Sequence, residues 1–316
     1  MTAPSLVRSH AGRVTARRFR ARRSWAYLFL APAFIVYTLF AVWPALNAFR
    51  VALYEWPGVG PLRNFVGLDN FRQVFAGVEF WRGLLHNAEF FAGTMVINTT
   101  LAIGLALLLY NRIPGHRIYQ TVYFMPAIIS LVATGMIWKV LLDPNIGLVN
   151  VALRRLGLDA LTRPWLGDPA VLLPLLILVN SWQFIGTSII IFLAGLLGIS
   201  EEVFDAAKID GADSWATFRY VTWPLLAPAY TIVTVLTFIG TFMIVDIVYV
   251  MAGIAGGVDR AADVTALMAY RQAFGFMTYT APAKGIGTAV GIVSFIIIAV
   301  GTGLLLYFLR RREADL

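Results

Sequence analysis

Residues 170–199, AVLLPLLILVNSWQFIGTSIIIFLAGLLGI, run without one charged side chain and are followed at once by residues 200–224, SEEVFDAAKIDGADSWATFRYVTWP. This juxtaposition decides the fold. The apolar run can cross a hydrocarbon core of ~30 Å, which takes about 20 residues at helical rise. Lipid offers no partner for backbone N–H and C=O groups, so the run must be a helix. The charged stretch behind it belongs in water. A short helical insert on the wet side of a membrane protein presents itself to a partner, and it reads as the lever through which another protein drives the membrane part.

Working outward, five more apolar runs reach the same length: Trp25–Phe49, Phe90–Tyr110, Tyr119–Trp138, Leu225–Met251 and Gly285–Leu309. With Ala170–Ile199 they predict an all-α polytopic membrane protein of six transmembrane helices with a cytoplasmic coupling helix. The composition agrees. Of 316 residues 59% are hydrophobic and only 13% charged, where a soluble domain has roughly a quarter charged. The net charge of +8 is concentrated at the ends, with Arg8, Arg13, Arg17, Arg18, Arg20, Arg22 and Arg23 in front and Arg310, Arg311 and Arg312 behind. Basic residues beside spans stay in the cytoplasm, so this pattern argues for cytoplasmic termini and a lipid bilayer, with no nucleic acid as partner. Arg63, Arg72, Arg82, Arg154, Arg155 and Arg163 fall in the proposed outer segments, so the termini alone set the orientation. The expected organisation is a basic tail at 1–24, a transmembrane domain at 25–309 containing the 200–224 loop, and a short cytoplasmic tail at 310–316. Ala31-Pro32-Ala33 imitates a signal-peptidase site, but the apolar run around it outlasts the 7–15 residues of a signal-peptide core. It is expected to stay as the first span. No cysteine is present, which excludes disulfides and Cys-ligated metal centres.

Within the insert, Ser200 is placed to cap a helix opened by Glu201 and Glu202, acids suited to the positive end of a helix dipole. Val203, Phe204 and Ala207 share a face by their spacing, and Ala206 and Ala207 are small enough for close approach of a partner. Gly211 stands where a helix ends in left-handed geometry. Asp213 or Ser214 caps a second short helix, and Pro224 stops it. Five acids against two bases make the insert net negative, opposite to the trend for cytoplasmic loops. A plain helix–turn–helix connection between spans is the competing reading.

The spacing Asp205-Ala206-Ala207, three residues, Gly211, nine residues, Val221-Thr222-Trp223-Pro224 resembles the EAA loop of ABC importer permeases. The family's pattern is Glu-Ala-Ala, three residues, Gly, nine residues, Ile-x-Leu-Pro. Asp205 replaces the usual Glu, and Trp223 the usual Leu. Residues 64–71 (NFVGLDNF), 142–150 (LDPNIGLVN), Thr265–Phe274 and 246–251 (DIVYVM) are similar to the permeases of binding-protein-dependent sugar importers of the maltose and glycerol-3-phosphate type. The Thr-Gly-Gly-Gly-Pro expected after Met251 is absent, and Ala252–Gly257 stands there instead.

The resemblance implies that the loop docks on a cytoplasmic ATPase through Glu202, Phe204, Asp205, Ala206, Ala207, Lys208, Asp210, Gly211 and Pro224. It implies a second homologous permease forming a heterodimer, an ATPase dimer carrying ATP and Mg, an extracytoplasmic solute-binding protein, a sugar or polyol as cargo, and a bacterial inner membrane. The chain has no Gly-x-x-x-x-Gly-Lys-Ser/Thr phosphate loop. It is therefore expected to be no enzyme and to bind no cofactor itself. Polar residues inside spans are costly and mark pathways. The candidate path residues are Asn180, Trp182, Gln183, Thr187, Asp246 and Tyr249, the rings offering a stacking face and the amides hydrogen bonds. Asn98 is read instead as a bridge between helices. His10, His86 and His116 are scattered and form no expected metal site. Two other classes compete: an ion-coupled secondary transporter titrating Asp246, which would need no docking insert, and a non-transporting scaffold.

Overall fold

The computed structural model describes residues 27–111, 114–275 and 283–314. The basic tail, Trp25 at the start of the first span, and Arg112 lie outside them. The chain forms two units, residues 1–50 and 51–316. In the first, helix α1 (Tyr27–Val51, its last residue in the second unit) is an apolar span. Residues Thr38–Val42 widen into a π-helical stretch, with Trp43 N–H bonded to Thr38 O. The cause is Pro44, which has no N–H to give and crowds the carbonyl four residues back.

The second unit begins with a two-stranded antiparallel ladder, β1 (Tyr54–Glu55) against β2 (Asn64–Phe65), followed by α2 (Asp69–Ala76). Two straight spans form its centre: α3 (Val78–Tyr110) and α7 (Pro169–Leu197), which pack on each other more than any other pair. The N-terminus of α7 is fixed by Asp168, which accepts from Ala170 N–H at 3.0 Å, and by Pro169 in the first turn, where no donor is needed. Leu172, Leu176, Val179, Ile189, Phe192 and Leu196 bury its length in two apolar cores. The last straight span is α13 (Lys284–Ala314), packed against the helices Ala227–Met243 and Thr265–Phe274.

The other two expected spans are broken. Tyr119–Trp138 is not one rod but α4 (His116–Ile128) and α5 (Leu131–Leu141), bent by 99°. Pro126 weakens α4, Ser130 caps α5 by accepting from Ala133 N–H at 3.2 Å, and Gln183 Nε2 of α7 donates to the freed Ile129 carbonyl at 2.7 Å. Leu225–Met251 is likewise interrupted. After the insert come α10 (Ala227–Met243), a break at Ile244 and Val245, and α11 (Asp246–Ala252). The described residues are thus all-helical apart from the two-residue strands, with four unbroken candidate spans and up to six if two bent pairs, His116–Ile128 with Leu131–Leu141 and Ser214–Leu225 with Ala227–Met243, each count as one. The second span also starts earlier than expected, at Val78 rather than Phe90.

Between α5 and α7, the turn after Leu141 is held by Asp143, whose carboxylate accepts from Asn145 N–H and Ile146 N–H at 2.8 and 3.0 Å. The bonds from Ile146 and then Asn145 hold that carboxyl below its usual range. Helix α6 (Leu148–Arg155) follows.

Between α11 and α12 (Thr265–Phe274) the replaced glycine-rich stretch makes a compact loop. Gly256 is left-handed, and any Cβ there would sit 2.6 Å from Asp263 Cα, so only glycine fits. A buried ion pair closes the loop: Arg271 donates to both Asp263 oxygens at 3.1 and 2.6 Å and to Ile254 O at 3.0 Å, each side chain 4% exposed.

Candidate functional site

Two features stand out, an external lever and an internal polar cavity, joined by the same helices. The lever is helix α8 (Glu201–Ile209) with α9 (Ser214–Leu225). Ser200 Oγ accepts from Glu202 N–H at 3.3 Å, and Asp213 Oδ1 from Ala216 N–H at 2.7 Å. At the elbow, Gly211 has φ +78° and Ala212 N–H reaches back to Ala207 O at 3.0 Å, the helix-ending glycine geometry. In α9 a π-helical stretch, Phe218–Thr222, precedes Pro224, with Trp223 N–H bonded to Phe218 O. Its cause is the one acting before Pro44.

The orientation of α8 differs from the expectation on one point. The face bearing Phe204 and Ala207 is turned inward: Phe204 lies against Tyr110 of α3 with ring centroids 6.1 Å apart, and Ala207 is buried. The exposed face carries Glu202, Asp205, Ala206 and Ile209 instead. Ile209 is 86% exposed, an unusual place for an isoleucine on a charged helix. Lys208 pairs with Asp205 at 2.9 Å, and that carboxylate holds its ammonium above the usual lysine range, first by the hydrogen bond and then by charge. Asp210 and Gly211 are exposed at the elbow, and Pro224 is half-buried at the far end of α9.

The cavity, about 410 Å³, lies among α3, α7, α10 and the break before α11. Of the expected path residues, Asn180, Thr187 and Asp246 line it. Trp182 does not; it sits edge-on to Trp138 at 5.6 Å. Gln183 does not line it either; its Nε2 donates to Ile129 O and the side chain is buried, its Oε1 without a partner. Tyr249 packs on Tyr270 at 6.1 Å. The sequence reading missed Thr94, Ser188, Thr237 and Thr241, which also line the space. It misassigned Asn98, which lines the cavity and bridges no helix: its Oδ1 is buried without a hydrogen-bond partner, as is Thr94 Oγ1. The bridging amide is Asn87, which donates to Thr241 O at 2.6 Å and accepts from Thr265 N–H and Oγ1, tying α3 to α10 and α12.

A buried polar atom with no partner costs about 1–3 kcal/mol. Two of them on one wall, among further hydroxyls and an amide, make a surface that gains by meeting a hydrogen-bonding guest. The lever bears on that wall directly. Helix α8 continues α7 across Gly198–Ser200, and α9 joins α10 at Leu226 through a 63° bend. Both helices that the insert connects line the cavity.

A polytopic helical protein with a polar chamber and an exposed lever fused to the chamber's helices is a membrane transport subunit. The chain belongs to the family of binding-protein-dependent transport system inner membrane components, which residues 98–314 match. That stretch takes in the lever, the last span and every cavity-lining residue except Thr94. The chain is 30% identical over 302 residues to the lactose transport system permease protein LacF of Rhizobium radiobacter, covering 95% of this chain and 98% of that one. It is 28% identical over 272 residues to the trehalose/maltose transport system permease protein MalF of Thermococcus litoralis, covering 86% and 89%. Its fold matches a chain of the bacterial alginate ABC transporter in complex with alginate pentasaccharide-bound periplasmic protein, with a TM-score of 0.77, 23% identity, and coverage of 92% and 96%. It is an ABC importer permease, a multi-pass inner membrane protein that works with a binding protein. Membership of this family displaces the ion-coupled reading of Asp246.

Proposed function

We propose that this permease imports a carbohydrate or related polyol through the cavity between α3, α7 and α10. The observation that carries the reading is the cavity wall: hydroxyls and amides, two of their atoms unpartnered, on apolar helices. A sugar hydroxyl both donates and accepts, and so suits Asn98, Thr94 and Asn180 together. Relatives named for lactose and for trehalose/maltose support the cargo class.

The complex holds a second homologous permease, two cytoplasmic ATPase subunits carrying ATP and Mg, and an extracytoplasmic binding protein that delivers cargo. The termini and the lever lie in the cytoplasm. This chain binds no cofactor; its lever, through Glu202, Asp205, Ala206 and Ile209 on the free face, rests in the ATPase. Closure of the ATPase pair favours one position of α8. Because α8 is joined to α7 through the short Gly198–Ser200 turn and linked through α9 to α10, that preference shifts the population toward an outward-open chamber.

The test is uptake by the reconstituted complex with Asn98→Ala and Asn180→Ala. Each lost hydrogen bond is worth about 0.5–1.5 kcal/mol, so the pair is expected to lower uptake roughly tenfold while basal ATP turnover persists. Undiminished uptake by the double variant would contradict the assignment of the cavity.

A further inference from the structure

Asp246 is the single ionisable residue among those lining the cavity. Its side chain stands in the first turn of α11, directly after the break at Ile244 and Val245, and is exposed. Among the described residues no cation pairs with it. The rest of the polar wall is uncharged: Asn98, Asn180, Ser188 and four threonines, Thr94, Thr187, Thr237 and Thr241. Two of these are nine-tenths buried or more with unpartnered oxygens, Asn98 at 2% exposed and Thr94 also at 2%. The chamber therefore offers a cargo many neutral hydrogen-bonding positions, one negative charge, and, among the described residues that line it, no positive charge. A carboxylate in a space flanked by low-dielectric helices acts at longer range than one in water.

We infer that Asp246 is a charge filter that sets the cargo class, admitting neutral and amino-bearing saccharides and rejecting uronates. The inference rests on the carbohydrate reading of the cavity and deepens it. Two unit charges about 8 Å apart at an effective dielectric of about 20 repel enough to weaken occupancy by an anion about 30-fold. An ammonium-bearing sugar gains by a similar factor.

The chain contains no cysteine, so Thr187→Cys gives its cavity one addressable thiol. The reconstituted full complex is treated with a cationic and an anionic methanethiosulfonate of similar size, and modification of this chain is followed by mass. After correction for intrinsic reactivity, the cationic reagent is expected to react at least tenfold faster. Adding Asp246→Asn brings the ratio near one. Protection of the same thiol then reads cargo: trehalose and lactose protect, and digalacturonic acid protects about 30-fold less well until Asp246→Asn is introduced. A charge ratio near one in the Thr187→Cys protein, or uronate protecting as well as the neutral disaccharides, overturns the filter and leaves the carbohydrate reading standing. Reagents that enter while neither neutral disaccharide nor uronate protects overturn that reading, and the filter falls with it.

Discussion

Ala206 and Ala207 are adjacent and chemically identical, yet the structure assigns them opposite fates on enlargement. Ala207 is buried on the face of α8 that carries Phe204 against Tyr110, and α8 also packs on the 218–222 stretch. Ala207→Trp sets an indole on the face that seats α8 against its neighbours, and displacing that contact costs about 1–3 kcal/mol. It is expected to lower the melting temperature of the purified complex and to reduce uptake through misplacement of the lever. Ala206 is exposed beside Glu202, Asp205 and Ile209. Ala206→Trp should leave stability within about ±0.5 kcal/mol, as surface changes do. At the centre of a protein contact, however, a misfit on the scale of a hot spot costs about 2–4 kcal/mol, or a loss of roughly thirtyfold or more in ATPase engagement. The paired assay is thermal unfolding of the detergent-solubilised complex together with ATP-driven uptake in proteoliposomes. Ala206→Trp is expected to melt normally, retain little uptake, and co-purify poorly with the ATPase. Normal uptake by Ala206→Trp would refute the outward face, and an unaltered melt for Ala207→Trp would refute the inward one.

Arg271→Ala strands the Asp263 carboxylate at a site 4% exposed and frees the Ile254 carbonyl; breaking a buried pair from one side costs about 3–5 kcal/mol, and thermal unfolding should show a larger drop than for Lys208→Ala, whose pair with Asp205 is exposed and screened by water. Gly186→Ala would place a Cβ 2.4 Å from Tyr123 O, a backbone atom that cannot swing aside, so α4 must separate from α7; the variant is expected to lose stability and uptake together, measured by melting and proteoliposome transport, whereas Gly104→Ala, which meets open space, should change neither.

What the sequence made legible and what it concealed divide along a physical line. The straight spans were readable because an apolar run in lipid has no alternative to a helix. The lever was readable because its boundaries are local chemistry: Ser200, Gly211 and Asp213 act within a turn of themselves. The breaks were not, since Ile129 and Ile244–Val245 are as apolar as their neighbours. The first break depends on Gln183, 54 positions away in the chain, reaching the Ile129 carbonyl. The same amide explains the error in the candidate site. Gln183 and Asn98 are both polar side chains in spans, and nothing in their types distinguishes a tether from a wall. Each keeps a buried oxygen without a partner; what separates them is place, since the amide nitrogen of Gln183 is tied to Ile129 O away from the cavity while Asn98 lines it. One clue was present and unused. Asn180, Phe184, Thr187, Ser188 and Ile191 fall at i, i+4, i+7, i+8 and i+11, a single stripe of one helix, and all five line the cavity. Trp182, two positions from Asn180, falls outside that stripe, whatever the appeal of an indole to a sugar ring. In a membrane helix the face on which a polar residue lies decides its role before its chemistry does.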